Sequence, residues 1–272
     1  MSVSELKPAA EAEVLYAEKG HVAVITLNRP ERMNTISRTM LNELCEALLR
    51  AEQSKNVRAV ILTGTGRAFC AGLDLSEATK PGDGIASGAT QSTTLDLRNT
   101  PPTILFNMEK PTICALNGSA AGYGMDTALG CDIRIMAESA KLAAAFCKRG
   151  ILPESGGTWF LPRLVGWSKA AELIFTGRTL SSAQCKEMGL VSDVVPDDNV
   201  LERAEALANE IAVNAPLAVQ ASKRMMRMGL EETFNDHVHH VFLQLLPLLK
   251  TKDAAEGMRA FMEKRPANFE GR

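Results

Sequence analysis

The chain has 272 residues, a length that allows one large domain or one domain with an appendage. Apolar residues make up 46% of the sequence and charged residues 23%, as in ordinary globular proteins. The net charge of -2 offers no basic surface for nucleic acid, and no apolar run approaches the roughly 18–20 residues that span a bilayer. The acidic, polar N-terminal segment predicts a cytoplasmic protein.

Residue spacing predicts alternating strands and helices over the first half of the chain. Two β-rich runs are separated by Lys-Gly-His, which is typical of a hairpin, and Ser37 is a suitable N-cap for a helix. In chain order, the predicted elements are strands at 14–18 and 22–27, a helix at 38–53, a strand at 57–63, a surface loop at 76–92, a helix at 93–108, a strand at 112–116, a helix from about Gly122 and a strand at 132–136.

After Trp159 the pattern becomes mainly helical, with one short strand predicted at 191–195. Strands that alternate with helices favour an α/β fold with parallel pairing. The change of pattern near residue 197 predicts two regions, a core at 1–197 and a C-terminal helical region at 198–272. The helices predicted in this half lie at 168–176, 181–188, 201–215, 216–228 and 252–264.

Two glycine turns follow predicted strands and are the main candidates for chemistry. One includes the N–H of Leu73 within Gly64–Leu75, and the other includes the N–H of Tyr123 at a helix start. Backbone amides at such turns need a partner, and an oxygen that becomes negative during a reaction is one. Taken singly, each turn is more simply an ordinary glycine turn after a strand.

Two carboxylates lie close to these turns in the sequence. Asp126 falls inside the helix after the second turn, and Glu154 falls in Pro-Glu-Ser-Gly-Gly. Amide donors together with a candidate acid or base indicate enolate chemistry on a carbonyl compound. Glu154 could instead be a charge that stabilises the N-terminus of a following helix.

Metal and redox sites are not indicated. The six cysteines are scattered without a CxxC pair, which favours free thiols. His237, His239 and His240 share a predicted helix, but no acidic or cysteine partner accompanies them at metal-ligand spacing. They are therefore interpreted as surface or interface histidines, and no metal is predicted.

Taken together, the motifs resemble the crotonase superfamily, the enoyl-CoA hydratase/isomerase family. The resemblance covers nearly the whole chain, and the order and spacing of the motifs agree with it. The segments that carry it are ITLNRPERMN (25–34), AVILTGTGRAFCAGLDL (59–75), KPTICALNGSAAGYGMD (110–126), GCDIRIMAESAKLAAAF (130–146), GILPESGGTWFLPRLVG (150–166), TGRTLSSAQCKEMGLVSDVVP (176–196) and GMRAFMEKRPANF (257–269).

The resemblance implies a fold that periodicity does not show: an α/β spiral of repeated ββα units followed by C-terminal helices that form trimers. A homotrimer or a dimer of trimers is therefore expected. The expected ligand is an acyl thioester of coenzyme A, which is part of the substrate, so no separate cofactor is predicted. No nucleic-acid or membrane partner is expected.

The resemblance also assigns roles to residues. The N–H groups of Leu73 and Tyr123 match the two oxyanion donors of the family. Phe261 and Lys264 match a C-terminal pair that reaches a coenzyme on the same or a neighbouring subunit, although on the residues alone Lys264 is more simply a solvated charge. The other residues expected to contact substrate are Arg32, Met33, Ala68, Ala71, Asp74, Gly122, Phe146 and Trp159, the last two, with Phe160, as apolar walls.

Hydratases of this family use two glutamates, and this chain departs from that pattern. Asp126 occupies the first glutamate position, and Phe146 occupies the second and cannot transfer a proton. Glu154, eight residues later, matches the carboxylate that the family's isomerases use. Double-bond isomerisation with Glu154 as acid and base is therefore favoured.

Other functions stay open at the level of sequence. Asp126 could hold a water together with Glu154 and so permit hydration of a trans-2-enoyl-CoA, or it could orient a neighbour. A non-catalytic acyl-CoA-binding member is a third alternative, because the second glutamate is lost. Hydrolysis, decarboxylation or dehalogenation on the same oxyanion hole is a fourth.

Overall fold

The computed structural model describes residues 12–78 and 100–272. The predicted N-terminal hairpin is confirmed: strand β1 (Val14–Lys19) pairs antiparallel with β2 (Val22–Leu27). Gly20 lies in the connection with φ +58, a conformation that a side chain disfavours.

A six-stranded sheet forms the centre of the fold. Apart from the hairpin, its strands are parallel, and their order is β1-β2-β3-β5-β7-β10. All five residues of β5 are buried, which agrees with a parallel strand covered on both faces. The four strands added to the hairpin are β3 (Ala59–Gly64), β5 (Thr112–Leu116), β7 (Ile133–Ala137) and β10 (Asp193–Val195).

A second sheet of four short strands was not predicted from residue spacing. Its order is β4-β6-β8-β9, and each strand has three residues, which is too short for an alternating pattern to be recognised. The strands are β4 (Ala68–Cys70), β6 (Ser119–Ala121), β8 (Lys141–Ala143) and β9 (Thr179–Ser181). The pairs β3/β4, β5/β6 and β7/β8 each contribute one strand to each sheet, which confirms the repeated units that the family resemblance implies.

Two of the first three helices agree with the sequence predictions. Helix α1 (Arg38–Gln53) begins where the Ser37 hydroxyl accepts a hydrogen bond from the Met40 N–H at 2.9 Å. Helix α2 (Leu75–Ala78) overlaps the loop predicted at 76–92, so that prediction is wrong for residues 76–78, and residues 79–92 lie outside the described ranges. Helix α3 (Pro101–Asn107) lies within the helix predicted at 93–108, and residues 93–99 are likewise not described.

Helices dominate the second half, as predicted. Helix α8 (Val200–Ala212) packs against strands β2, β3, β5 and β7 of the larger sheet, and helix α10 (Phe234–Leu248) has no buried residue. The division of the chain at residue 197 stays a prediction. In chain order, the helices are α4 (Tyr123–Gly130), α5 (Gly157–Val165), α6 (Trp167–Thr176), α7 (Ser182–Glu187), α8 (Val200–Ala212), α9 (Pro216–Met228), α10 (Phe234–Leu248) and α11 (Lys252–Glu263).

Two further predictions concern membranes and cysteines. No helix among residues 12–78 and 100–272 has the length and apolar character needed to cross a bilayer. The six cysteines are free thiols, and four of them are buried.

Candidate active site

The N–H of Leu73 is held in position by a short parallel bridge. The Ile36 N–H donates to the Gly72 carbonyl at 2.8 Å, and the Ile36 carbonyl accepts from the Asp74 N–H at 3.0 Å. Because bonding groups alternate in direction along an extended segment, the Leu73 N–H points away from Ile36. Among the described residues, none accepts a hydrogen bond from it.

The Tyr123 N–H stands at the start of helix α4. Gly122, the N-cap residue, has φ 52 and ψ -124, a backbone conformation open essentially to glycine alone. The Gly122 N–H is taken by the Ala143 carbonyl at 3.0 Å, whereas the Tyr123 N–H has no acceptor in the described part of the chain. A free N–H at a helix start is suited to stabilise negative charge.

The two turns lie side by side at the ends of strands β4 and β6. A Cβ atom placed on Gly72 would lie 3.0 Å from the Ala121 carbonyl oxygen and 3.9 Å from the Tyr123 nitrogen. Leu73 and Tyr123 both line one cavity of about 70 Å³. The pair of free amides predicted from the sequence is thus brought together in space.

Glu154 lines the same cavity. It stands in the turn before helix α5, where Gly156 (φ 109) allows the chain to enter the helix. Much of the residue is exposed in the single chain, but its carboxyl group is partly withdrawn from water, and this desolvation raises the pKa of the carboxyl above 4.5. A carboxylate destabilised in this way is a stronger base than a fully hydrated one.

Phe146 forms an apolar wall of the cavity. It is 3% exposed, and a Cβ atom placed on Gly122 would lie 3.9 Å from its ring. The residue therefore fills the space beside the Tyr123 amide with hydrocarbon and supplies no proton-transfer group.

Asp126 lies in a different environment from Glu154. It is fully buried, and its Oδ2 accepts hydrogen bonds from the Ser155 hydroxyl at 2.9 Å and the Gly157 N–H at 3.1 Å. Asp126 is absent from the residues that line the Glu154 cavity. Of the two roles left open by the sequence, this geometry favours orientation of a neighbour.

Trp159 lies elsewhere than expected. It lines a second cavity of about 700 Å³ between α5 and α9, together with Phe160, and it does not line the Glu154 cavity. Its ring packs edge-on against Phe106 at 5.0 Å and against Phe160 at 5.2 Å. The prediction that Trp159 and Phe160 form walls beside Glu154 is corrected, because α5 directs both rings toward α3.

The expected coenzyme-lining residues fall in two groups. Arg32 and Met33 form a turn in which Met33 is left-handed (φ 52), and the Met33 carbonyl accepts from the Ala71 N–H at 3.0 Å. Ala71 lines the Glu154 cavity, while Ala68 is buried in β4. The structure therefore joins the two segments that the resemblance assigned to the coenzyme.

Asp74 links these segments electrostatically. Its buried carboxylate lies 3.2 Å from Arg29 Nη2 and 3.4 Å from Arg32 Nη2. Burial acts to raise its pKa, but hydrogen bonds from the Ser76 hydroxyl and amide and the nearby Arg32 charge outweigh this and lower the pKa to about 2. The carboxylate thus favours the folded state when it is ionised.

Replacing Asp74 with Asn is expected to destabilise the fold at neutral pH. Since the pKa is depressed from 3.8 in the folded state, the contribution of Asp74 is present above pH 4 and is lost as pH falls toward 2. The expected loss is about 2 kcal/mol at pH 7. Denaturant titrations at pH 7 and pH 3 would measure it. The exposed Asp198→Asn is the control, and an equal effect at both pH values would contradict the expectation.

Phe261 and Lys264 do not reach the Glu154 cavity within this chain. Phe261 is 85% exposed on α11, and Lys264 ends that helix in a left-handed conformation (φ 53). Neither lines the cavity, and their contact with a coenzyme stays a prediction.

Several residues around the site were not predicted. Arg149, Ile151 and Leu75 line the cavity, and Ser155 and Gly157 bind Asp126. Ser155 and Gly157 belong to the PESGG segment, so their closeness to Glu154 was visible in the sequence. Arg149 is the last residue of a short 3-10 helix (Cys147–Arg149) and Ile151 lies two residues beyond it, and no residue pattern marks the direction of their side chains.

Two of the three histidines on α10, His237 and His240, lie beside Glu232. The carboxylate oxygens of Glu232 lie within hydrogen-bonding distance of both rings, 3.1 Å from His237 Nδ1 and 2.9 Å from His240 Nδ1. Across residues 12–78 and 100–272, no group of three or more His, Cys, Asp or Glu has the arrangement of a metal site.

The repeated strand pairs and the amides at their turns define a class: this is a crotonase-fold protein. The family profile described as Enoyl-CoA hydratase/isomerase matches residues 17–272. The chain therefore belongs to the enoyl-CoA hydratase/isomerase family, and it is an enzyme of that family.

Individual relatives agree with this assignment. YngF of Bacillus subtilis, which carries the family's name, is 40% identical over 263 residues, covering 95% of this chain and 98% of that protein. The 1,2-epoxyphenylacetyl-CoA isomerase of Escherichia coli is 37% identical over 94% of this chain and 97% of its own length. The crystal structure of an enoyl-CoA hydratase from Bacillus anthracis has a TM-score of 0.88 and 36% identity, covering 96% of this chain and 100% of that one.

Proposed function

We propose that the protein isomerises the double bond of an enoyl-CoA thioester, with Glu154 as the acid and base. The observation that carries the proposal is the cavity that Glu154 shares with the free N–H groups of Leu73 and Tyr123. A thioester oxygen bound by both amides would gain negative charge in the transition state, where such donors are most effective.

The reaction balances with one carboxylate. Glu154 removes a proton from C2 of a 3-enoyl thioester, and the electron pair of that C–H bond enters a dienolate whose oxygen is bound by the two amides. The double bond moves from C3–C4 to C2–C3, and Glu154 returns the proton to C4. The carboxylate is then ionised again and ready for another turnover.

Hydration is the second candidate, and it has support of its own. Several relatives are named hydratases, including the 2,3-dehydroadipyl-CoA hydratase of E. coli at 33% identity, and Asp126 retains a carboxylate at the first glutamate position of that reaction. Against it, Phe146 occupies the position of the second glutamate, and the Asp126 carboxylate is already bonded to Ser155 and Gly157. The name of the E. coli isomerase adds support for isomerisation.

The coenzyme and the assembly follow from the same proposal. The turn at Arg32–Met33 and residues Ala68 and Ala71 would line the coenzyme, which enters as part of the substrate. A homotrimer, or a dimer of trimers, would allow Phe261 and Lys264 of one subunit to reach the coenzyme of another. The exposed apolar side chains of α10 suit such an assembly, among them Phe234 and Phe242 at 80% and 56% exposure.

A labelling experiment separates the candidates. Both reactions are run in deuterated water. Isomerisation of a trans-3-enoyl-CoA should give a 2-enoyl product whose C4 receives either the proton that Glu154 took from C2 or a deuteron that exchanged onto Glu154 before the return. Hydration of a trans-2-enoyl-CoA would instead give a 3-hydroxyacyl thioester with deuterium at C2. Mass spectrometry and NMR locate the label. Formation of the 3-hydroxyacyl product alone would overturn the isomerase proposal, and the absence of both products from every enoyl-CoA would leave a binding protein.

The activity should rise with pH on its acid side. Glu154 must be ionised to accept the first proton, so kcat/KM should increase as that group loses its own proton. Because burial raises its pKa, the midpoint should lie above the ordinary 4.5. Initial rates of conjugated product formation between pH 4 and 9 would show this limb. A midpoint below 4.5 would contradict the partial burial of the base.

A further inference from the structure

The buried carboxylate of Asp126 connects two separate parts of the site. Asp126 lies in the first turn of α4, three residues after Tyr123, whose N–H is the proposed oxyanion donor. Its Oδ2 accepts from the Ser155 hydroxyl and the Gly157 N–H, which flank Glu154 on its C-terminal side. A single oxygen therefore binds the donor helix to the turn that presents the base.

The approach of α5 to Asp126 depends on the absence of a side chain at residue 157. A Cβ atom placed on Gly157 would lie 2.4 Å from Asp126 Oδ1 and 2.9 Å from its Cγ, and no real contact is that short. The Gly157 N–H is one of the amides at the start of α5 that have no acceptor within the helix, so its hydrogen bond to the Asp126 carboxylate also stabilises that end of the helix. The chain is thus built to admit the Asp126 carboxylate at this point.

The other oxygen of Asp126 has no partner. Oδ1 is buried, and among the described residues no group donates a hydrogen bond to it. Burial raises the pKa of Asp126 to about 7, against the hydrogen bonds from Ser155 and Gly157, which lower it. A buried carboxylate with half of its hydrogen-bonding capacity unused costs free energy, so its presence requires a compensating role.

We propose that Asp126 is a positioning residue that ties the N-terminal turn of α4 to the Glu154 turn and thereby fixes the distance between the oxyanion donor and the base. The proposal deepens the proposed function and rests on it. Proton transfer demands this distance, because the base must reach C2 while the thioester oxygen is bound, and errors of about 1 Å are costly.

The geometry distinguishes this role from that of a second acid. Asp126 does not line the cavity that contains Glu154, Leu73 and Tyr123. Its bonded oxygen is directed at α5. Substitutions can therefore show whether activity needs the hydrogen bonds from Ser155 and Gly157 or needs Asp126 to transfer a proton. In Asp126→Asn, the oxygen of the new amide could accept both bonds that Oδ2 accepts now, whereas the amide nitrogen would replace the unpartnered Oδ1.

The test compares Asp126→Asn with Asp126→Ala in the full-length protein. With a trans-3-enoyl-CoA as substrate, we expect Asp126→Ala to lower kcat about 30-fold while KM changes less than about threefold. We expect Asp126→Asn to keep kcat within about threefold of the unsubstituted protein, because both bonds can be retained. If both variants lose kcat equally, Asp126 transfers a proton and the positioning role is wrong. Unchanged kcat in both variants would also overturn it.

A matched control accounts for the general loss of a buried carboxylate. Asp253 is 3% exposed at the start of α11, and it accepts from the Glu270 and Gly271 N–H groups at 2.7 and 2.9 Å. Asp253→Ala removes the same group outside the Glu154 cavity, and kcat should not change. A drop in kcat equal to that of Asp126→Ala would show that lost stability, rather than positioning, explains the effect.

A milder variant keeps the test valid if Asp126→Ala does not fold. Ser155→Ala leaves Asp126 in place and removes one of its two bonds, so kcat should fall about threefold to tenfold with little change in KM. No change in kcat would contradict the proposal. The proposed function is tested separately by Glu154→Gln. If that variant keeps its kcat, the isomerase mechanism is wrong. The kcat of Asp126→Ala relative to that of Asp126→Asn tests the positioning role alone.

Discussion

Glu154→Gln should lower kcat for double-bond isomerisation about 1,000-fold. Glutamine has nearly the same size and can still line the cavity, but it cannot accept the C2 proton, and a positioned base typically contributes about 100- to 10,000-fold. Binding of the thioester should change little, because the amides of Leu73 and Tyr123 remain. Initial rates of conjugated product formation would measure kcat, and calorimetry would measure binding of the thioester.

The control for this variant is Glu187→Gln, which makes the same chemical change on an exposed residue of α7. It should retain full turnover. If Glu154→Gln behaves like this control on every enoyl-CoA tested, the carboxylate is not the base, and the proposed mechanism is wrong.

Gly124→Ala should disrupt the oxyanion donors or the fold itself. A Cβ atom on Gly124 would lie 2.2 Å from the Cys70 carbonyl oxygen and 2.7 Å from Cys70 Cβ, so α4 would have to move away from β4. That movement would separate the amides of Tyr123 and Leu73. Losing one such donor typically lowers kcat by roughly 100- to 1,000-fold, about 3–4 kcal/mol. Thermal unfolding and kcat should both be measured.

The same helix supplies a control. Gly130 ends α4, and a Cβ atom there would lie 3.6 Å from Leu105, which is ordinary contact. Gly130→Ala should therefore leave kcat unchanged, and it should not destabilise the protein, since alanine favours helices more than glycine does. Equal behaviour of the two alanine variants would mean that the close contact with Cys70 does not determine the position of α4.

The sequence predicted the elements whose signals are local. Ser37 caps α1 as expected, because an N-cap needs only the hydroxyl and the amides of the next turn. The hairpin of β1 and β2 follows from two β-rich runs joined by a short turn containing Gly20. The three-residue strands of the smaller sheet were not found by spacing. Their register depends on partners such as Ser119 for Ala68, which are distant in the chain.

In the candidate site, the two glycine turns were predictable from the sequence, whereas the directions of the side chains around them were not. Leu73 and Tyr123 were selected because each lies in a glycine turn after a strand, and the two turns are neighbours in space. The direction of a side chain on a helix depends on how that helix packs, which the sequence does not state. This is why Trp159 was expected beside Glu154 but contacts Phe106.

The same dependence on packing applies to Asp126. Its spacing from Tyr123 places it in the first turn of α4, yet nothing local indicates that α5 would approach closely enough to bond with it. The approach is possible because residue 157 is glycine, a requirement that becomes visible only when both helices are placed.

Because of the bridge between Ile36 and Leu73, the number of residues that follow β4 determines which backbone amides face the cavity. Ile36 binds Gly72 and Asp74, so in this extended segment every second amide is directed outward. Removing one residue between Cys70 and Leu73 would present the opposite set of amides to the cavity, even if every side chain were kept. Removing two would restore the direction but shorten the reach. Whether the number of residues in this turn is odd or even therefore determines the direction of its amides, independently of which side chains it carries.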